Sequence, residues 1–176
     1  MRHRLTILLV LTLASVVAAQ EREGHEKAEA EEGARTAQAL APALKQAKVS
    51  LVGGLQAAEK EGRPISAKFE VEEGKLQLSV YTMKTDKFSE VVVDHQTGKI
   101  SKSEPITGGN DLAAARKQAD AMAKTKQSLR DVISRAEKAN PGYHAVSVYP
   151  ELEDGKAQAD VMLLKGSTSK SVEEPL

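Results

Sequence analysis

Few residues in this 176-residue chain are of a type and spacing that could do chemistry. Asp94 and His95 stand together after Val91-Val92-Val93, and His25 lies among Glu21, Glu23, Glu26 and Glu29. A carboxylate beside an imidazole could move a proton, and an imidazole among carboxylates could hold a divalent cation. Neither arrangement is fixed by its surroundings. Neighbours on an extended strand point to opposite faces, so Asp94 and His95 do not converge, and no third partner stands near them in sequence. The stretch QEREGHEKAEAEEGART over 20–36 has no large apolar residue to hold its side chains in place, and it reads as solvated charge. The chain contains no Gly-x-Ser-x-Gly, no His-Glu-x-x-His and no phosphate-cradling glycine loop. Gly108-Gly109-Asn110-Asp111 could offer amides to an anion but reads better as a linker and helix cap. The expectation is a protein with no catalytic residue, no bound cofactor and no metal site.

Bulk properties narrow the class further. Arg2 and Arg4 precede an apolar run from Leu5 to Val17, and Val17-Ala18-Ala19 offers small residues for cleavage before Gln20. That is the layout of a signal peptide over 1–19, and the run is shorter than the ~20 residues that cross a bilayer. The expectation is a secreted or periplasmic protein with no stable membrane insertion after cleavage. The absence of cysteine excludes a disulfide framework and a lipid-bearing cysteine. The whole chain balances 25 basic against 25 acidic side chains, with no Trp, three Tyr and two Phe. Without a basic field or stacking platforms, nucleic acid is not an expected partner.

The elements follow from periodicity. Residues 20–38 read as a flexible leader rich in Glu and Ala. Leu40, Leu44, Ala47, Leu51, Leu55 and Ala58 recur at helical spacing, predicting a helix over about 40–61 in which Gly53-Gly54 implies a break or a close approach to a sheet. After Gly62 the period becomes two. Ile65, Ala67, Phe69 and Val71 alternate with polar residues, as do Leu76, Leu78 and Val80, giving a hairpin about Glu73-Gly74 and then a third strand over Phe88–Val93. A second helix is expected over 111–139, its apolar stripe interrupted at Lys126 and ended by Asn140-Pro141-Gly142. Val146, Val148, Ala157, Ala159, Val161 and Leu163 then mark another hairpin about Asp154-Gly155.

The second half repeats the first. Ser50-Leu51 matches Ser128-Leu129 at a shift of 78, and Gly74-Lys75 matches Gly155-Lys156 at a shift of 81. The fold class is α+β: two tandem units, 39–107 and 108–176, each a helix on a small antiparallel sheet. The second is truncated, because Pro175 falls where the first has Asp94. The expected core includes Leu51, Leu55, Phe69, Val71, Leu78, Val80, Leu129, Ile133, Val148 and Val161.

The stretches LQAAEKEG, SAKFEVEEGKLQLSVYT and EVVVDHQTGKI, in that order, resemble a PepSY domain. The first unit matches over about 46–102 and the second, about 124–176, only in part. In this resemblance Asp94, Thr97, Gly98, Lys99 and Ile100 form the closing turn. Asp94 would accept amide hydrogens and Gly98 would supply a positive φ. The family is associated with restraining peptidases, and the resemblance implies a non-catalytic exported binding module whose partner is an exported peptidase or another envelope protein. The alternative is a structural, self-associating envelope protein. Either would dock through a strand edge, expected on the first unit near Ser89 and Val91.

Overall fold

The computed structural model describes residues 33–176. The leader assigned to 1–19 and the His25 run lie outside the described residues. The chain is α+β, with four helices and one antiparallel sheet among the described residues. In order these are α1 (33–44), α2 (Leu51–Ala58), β1 (Arg63–Glu72), β2 (Lys75–Lys84), β3 (Lys87–Val93), β4 (Ile100–Ile106), α3 (Gly109–Ala123), α4 (Leu129–Ala139), β5 (His144–Glu153), β6 (Lys156–Lys165) and β7 (Thr168–Pro175). The strands form a single sheet in the order β4-β3-β2-β1-β5-β6-β7.

The two tandem units therefore share one sheet. They meet at β1 and β5, whose ladder joins Ala67 to Val148 and Lys68 to Ser147. The repeat is visible in the register. Phe69 faces Leu78 as Pro150 faces Ala159, and Val80 faces Val91 as Val161 faces Val172, all at the shift of 81. Even the bulges coincide: Ile65 is the extra residue in β1 and Val146 the extra residue in β5. Since Ala67 and Val148 are equivalent and paired, the seam is a local two-fold. Pro150 lies beyond the short β1–β5 ladder, so its missing amide hydrogen interrupts nothing there.

Each expected long helix is two helices. The first breaks at 45–50, where the amides of Lys48 and Val49 both donate to the carbonyl of His95, at 2.8 and 3.0 Å. Ser50 then restarts the helix as its cap, accepting from the Gly53 amide at 3.2 Å. The second breaks at 124–128, where Thr125 Oγ1 accepts from the Gln127 amide and Ser128 Oγ caps Asp131. Local hydroxyls and a distant carbonyl thus replace the helical ladder where the stripe of apolar residues continued. The three residues that raise the shift from 78 to 81 enter with α4, which has 11 residues against 8 in α2. The start of α3 also departs from expectation: Gly108 is its cap position and makes no side-chain bond, while Asp111 lies in the first turn.

The breaks let the halves of each pair cover opposite faces. Gly54 of α2 lies over Leu78, so close that a Cβ there would sit 2.6 Å from Leu78 Cδ2. This is the close approach that Gly53-Gly54 implied. Ser66, which faces away from Ala67 and Phe69, donates to Gln118 of α3 at 2.7 Å. On that same side α1 enters beside Met162 and Ser169. α4 joins α2, and Arg130 bridges to Glu59 at 3.2 Å. The core is correspondingly continuous, running from Leu51, Leu55, Leu129 and Ile133 through the sheet to Leu40, Ala115 and Met122.

Three sequence expectations need correction. Residues 33–38, assigned to the flexible leader, belong to α1, and Ala37 is fully buried there. Val71 was expected in the core but is 38% exposed, as is its counterpart Leu152 at 41%. Both sit at hairpin tips beyond the reach of the helices, where Glu73-Gly74 and Asp154-Gly155 turn with positive φ. Ser89 and Val91 are not on an edge, because β4 pairs along β3 outside them. A proline at either would break an interior ladder.

Candidate functional site

The residues of the closing turn come together as a structural unit. Asp94 Oδ1 accepts from the amides of Gln96 and Thr97, both at 2.8 Å. The Gly98 amide donates to the Asp94 carbonyl and the Asp94 amide to the Lys99 carbonyl, also at 2.8 Å. Gly98 has φ +71°, and Thr97 Oγ1 accepts from the Lys99 amide at 3.4 Å. Amide donation from Thr97 and Gln96 holds the Asp94 carboxyl below its ordinary pKa. Ile100 then opens β4. The turn also positions His95, whose carbonyl anchors the α1–α2 linker, while its ring Nδ1 is buried without a protein partner. The hydrogen bonds of Asp94 and the carbonyl of His95 are both spent on folding the chain back.

Other polar groups are similarly engaged. On the Ser66 face of the sheet, Gln77 donates to Ser79, Ser79 donates to Glu70, and Lys68 pairs with Glu70. Tyr81 donates to Glu90 at 3.4 Å. Burial, reinforced by Glu90 and Glu70, pushes the Tyr81 phenol up; burial with Glu70 and Asp160 does the same for Tyr149. Both phenols stay protonated at neutral pH and are poor bases. A cavity of about 300 Å³ opens between α2, α3, α4 and the start of β1, lined in part by Leu55, Arg63, Met122, Lys126 and Leu129. Arg63 spends itself on the carbonyl of Met122 at 2.8 Å, and Glu59 and Arg130 pair across the mouth. Ser128 also lines this space, and its hydroxyl donates to Asp131 Oδ2 at 2.7 Å within the α4 cap. Among the described residues no group of three or more His, Cys, Asp and Glu could hold a metal, and no helix is long and apolar enough to cross a membrane.

What remains open is the rim of the sheet. Among the described residues β4 is paired on one side only, with Ser101 through Pro105 exposed. β7 is the other edge, but it is clasped: Arg135 donates to Glu174 Oε2 and to the Pro175 carbonyl, both at 2.6 Å, and to Gln127 at 2.8 Å. Sequence reasoning placed the first unit's edge one strand too far in. The signal was present in Ile100-Ser101-Lys102-Ser103-Glu104-Pro105-Ile106, a short, charged and polar run with a proline, which is how an edge strand is commonly written. No family model, curated protein or solved structure matches the chain.

Proposed function

We propose that the chain is an exported, non-catalytic PepSY-like binding module that receives an extended segment of another protein along the outer edge of β4. The partner class is an exported peptidase or another envelope protein, and the action on a peptidase is modulation or inhibition. The observation that carries this reading is the outer edge of β4, unpaired among the described residues, on a strand that pairs with β3 from Ile100 to Ile106 with a bulge at Ser101. Backbone groups along such an edge supply affinity without any reacting side chain. Delivery beyond the cytoplasmic membrane rests on the leader over 1–19, and the exported protein should have a mass that starts near Gln20.

The test combines turnover with mapping. The purified protein should hydrolyse neither generic peptide nor ester substrates, and it should slow a co-encoded exported peptidase. Amide exchange in the resulting complex should fall along β4. Protection gained only on the helices would overturn the edge reading. A second reading, a structural self-associating envelope protein, is favoured by the charge order of β4.

A further inference from the structure

The centre of β4 reads Ser101-Lys102-Ser103-Glu104-Pro105, with a cation and an anion placed symmetrically about Ser103. Lys102 lies across from Val92 and Glu104 across from Glu90 on β3, so both side chains leave the same face of the sheet. They bridge each other at 2.8 Å, and each keeps 58% of its side chain exposed. Among the described residues nothing else covers them.

We infer that β4 pairs antiparallel with β4 of a second copy of this chain, with Ser103 on the two-fold axis. In that register Lys102 of each copy stands directly opposite Glu104 of the other. Moving the axis by one residue sets Lys102 against Lys102 or Glu104 against Glu104. The same two side chains thus attract in one register and repel in its neighbours. Two-fold pairing uses the same patch on both copies and closes on itself, so it yields a dimer with one sheet running through both copies.

The other edge does not offer the same fit. In β7 the Glu174 carboxylate is held by Arg135, and Lys170 Nζ donates to Asn140 Oδ1 at 2.6 Å. Glu173 and Pro175 complete an edge that resists pairing, so growth from β4 onto β7 of another copy is opposed. Pro105 lacks an amide hydrogen and trims the β4 ladder, and the contact is narrow. The expected dissociation constant is on the order of 0.1 mM, in the range of small transient interfaces.

This inference rests on β4 being the docking edge and names its occupant. Sedimentation velocity on the purified protein should show a monomer–dimer equilibrium up to about 1 mM, weakened by added salt as exposed charge pairs are. Lys102→Glu alone and Glu104→Lys alone should each be monomeric, because like charges then face one another. Mixed in equal amounts, the two variants should form heterodimers of near wild-type strength, since each strand now complements the other. Both positions are exposed, and circular dichroism with thermal melts checks that each variant is folded. A wild type that stays monomeric throughout, or a mixture that fails to associate, overturns the proposal. If that monomer still gains β4 exchange protection on binding a peptidase, only self-pairing is lost. A dimer without protection along β4 would overturn self-pairing at this edge, and the peptidase reading would then be decided by exchange in the peptidase complex alone.

Discussion

The two repeats solve the same packing problem with opposite distributions of volume. In the first, Gly54 lies against Leu78; at the equivalent positions of the second stand Val132 and Ala159, both fully buried. A large residue on the strand with none on the helix has been exchanged for the reverse, while registers and bulges stayed in place. The backbone plan is held by hairpin and cap geometry, and the core fills whatever space remains. The repeats differ also at their outer strands: the first runs through the Asp94 turn into β4, and β7 of the second is clasped by α4.

The largest expected effect tests the volume exchange. Gly54→Val should lower stability by about 3 kcal/mol through overpacking against Leu78, and Leu78→Ala by about 2–5 kcal/mol through a cavity. The double variant imports the second repeat's solution and should cost much less than the sum in denaturant melts. Simple additivity would mean that the two residues do not share the space. Next is Gly98→Val, expected to lower stability by about 1–3 kcal/mol because φ is +71° there. Its Cβ would meet Val49 only at ordinary contact distance, so the strain is in the backbone.

A smaller effect is expected at the other end of the sheet. Arg135→Ala should leave the global midpoint within about 1 kcal/mol but raise amide exchange along β7 and leave β4 unchanged. Equal loosening of both edges would erase the distinction between a clasped and an open rim. The smallest effect is acid sensitivity at the turn. The folded-state pKa of Asp94 is lowered from 3.8 by amide donation, so the stability it contributes is present above the ordinary carboxylate range and is lost as pH falls through the lowered value. Asp94→Asn should remove that contribution, lowering stability slightly in the neutral range, leaving the acid limit nearly unchanged and flattening that part of the acid-unfolding curve.

Local pattern carried most of the elements into view. The alternation about Phe69 and Leu78 and the Gly74 and Gly155 turns were readable, because each depends on residues near in sequence, whereas the caps Ser50 and Ser128 lay inside helices expected to be continuous. What escaped depended on partners far away. The break at 45–50 is made by the His95 carbonyl, about fifty positions on, and no period in the helix records it. Val71 keeps the strand alternation yet lies past the helices that would bury it. The edge was misplaced because β4 is almost wholly polar on both faces and so lacks the alternation by which β1 and β2 were found. The turn residues were legible as a unit, since Asp94, Thr97 and Gly98 bond within it.

The seam between Ala67 and Val148 sets the order in which the chain can acquire its structure. Every other ladder joins strands that follow one another along the chain, and β-hairpins form on a scale of microseconds. The seam joins residues 81 positions apart, the longest separation among the strand pairs. Its formation must wait for a large loop to close, and only a short ladder and the helices on either side reward that closure. Closing the centre of the sheet, at the fully buried Ala67 and Val148, is therefore the expected slow step of folding.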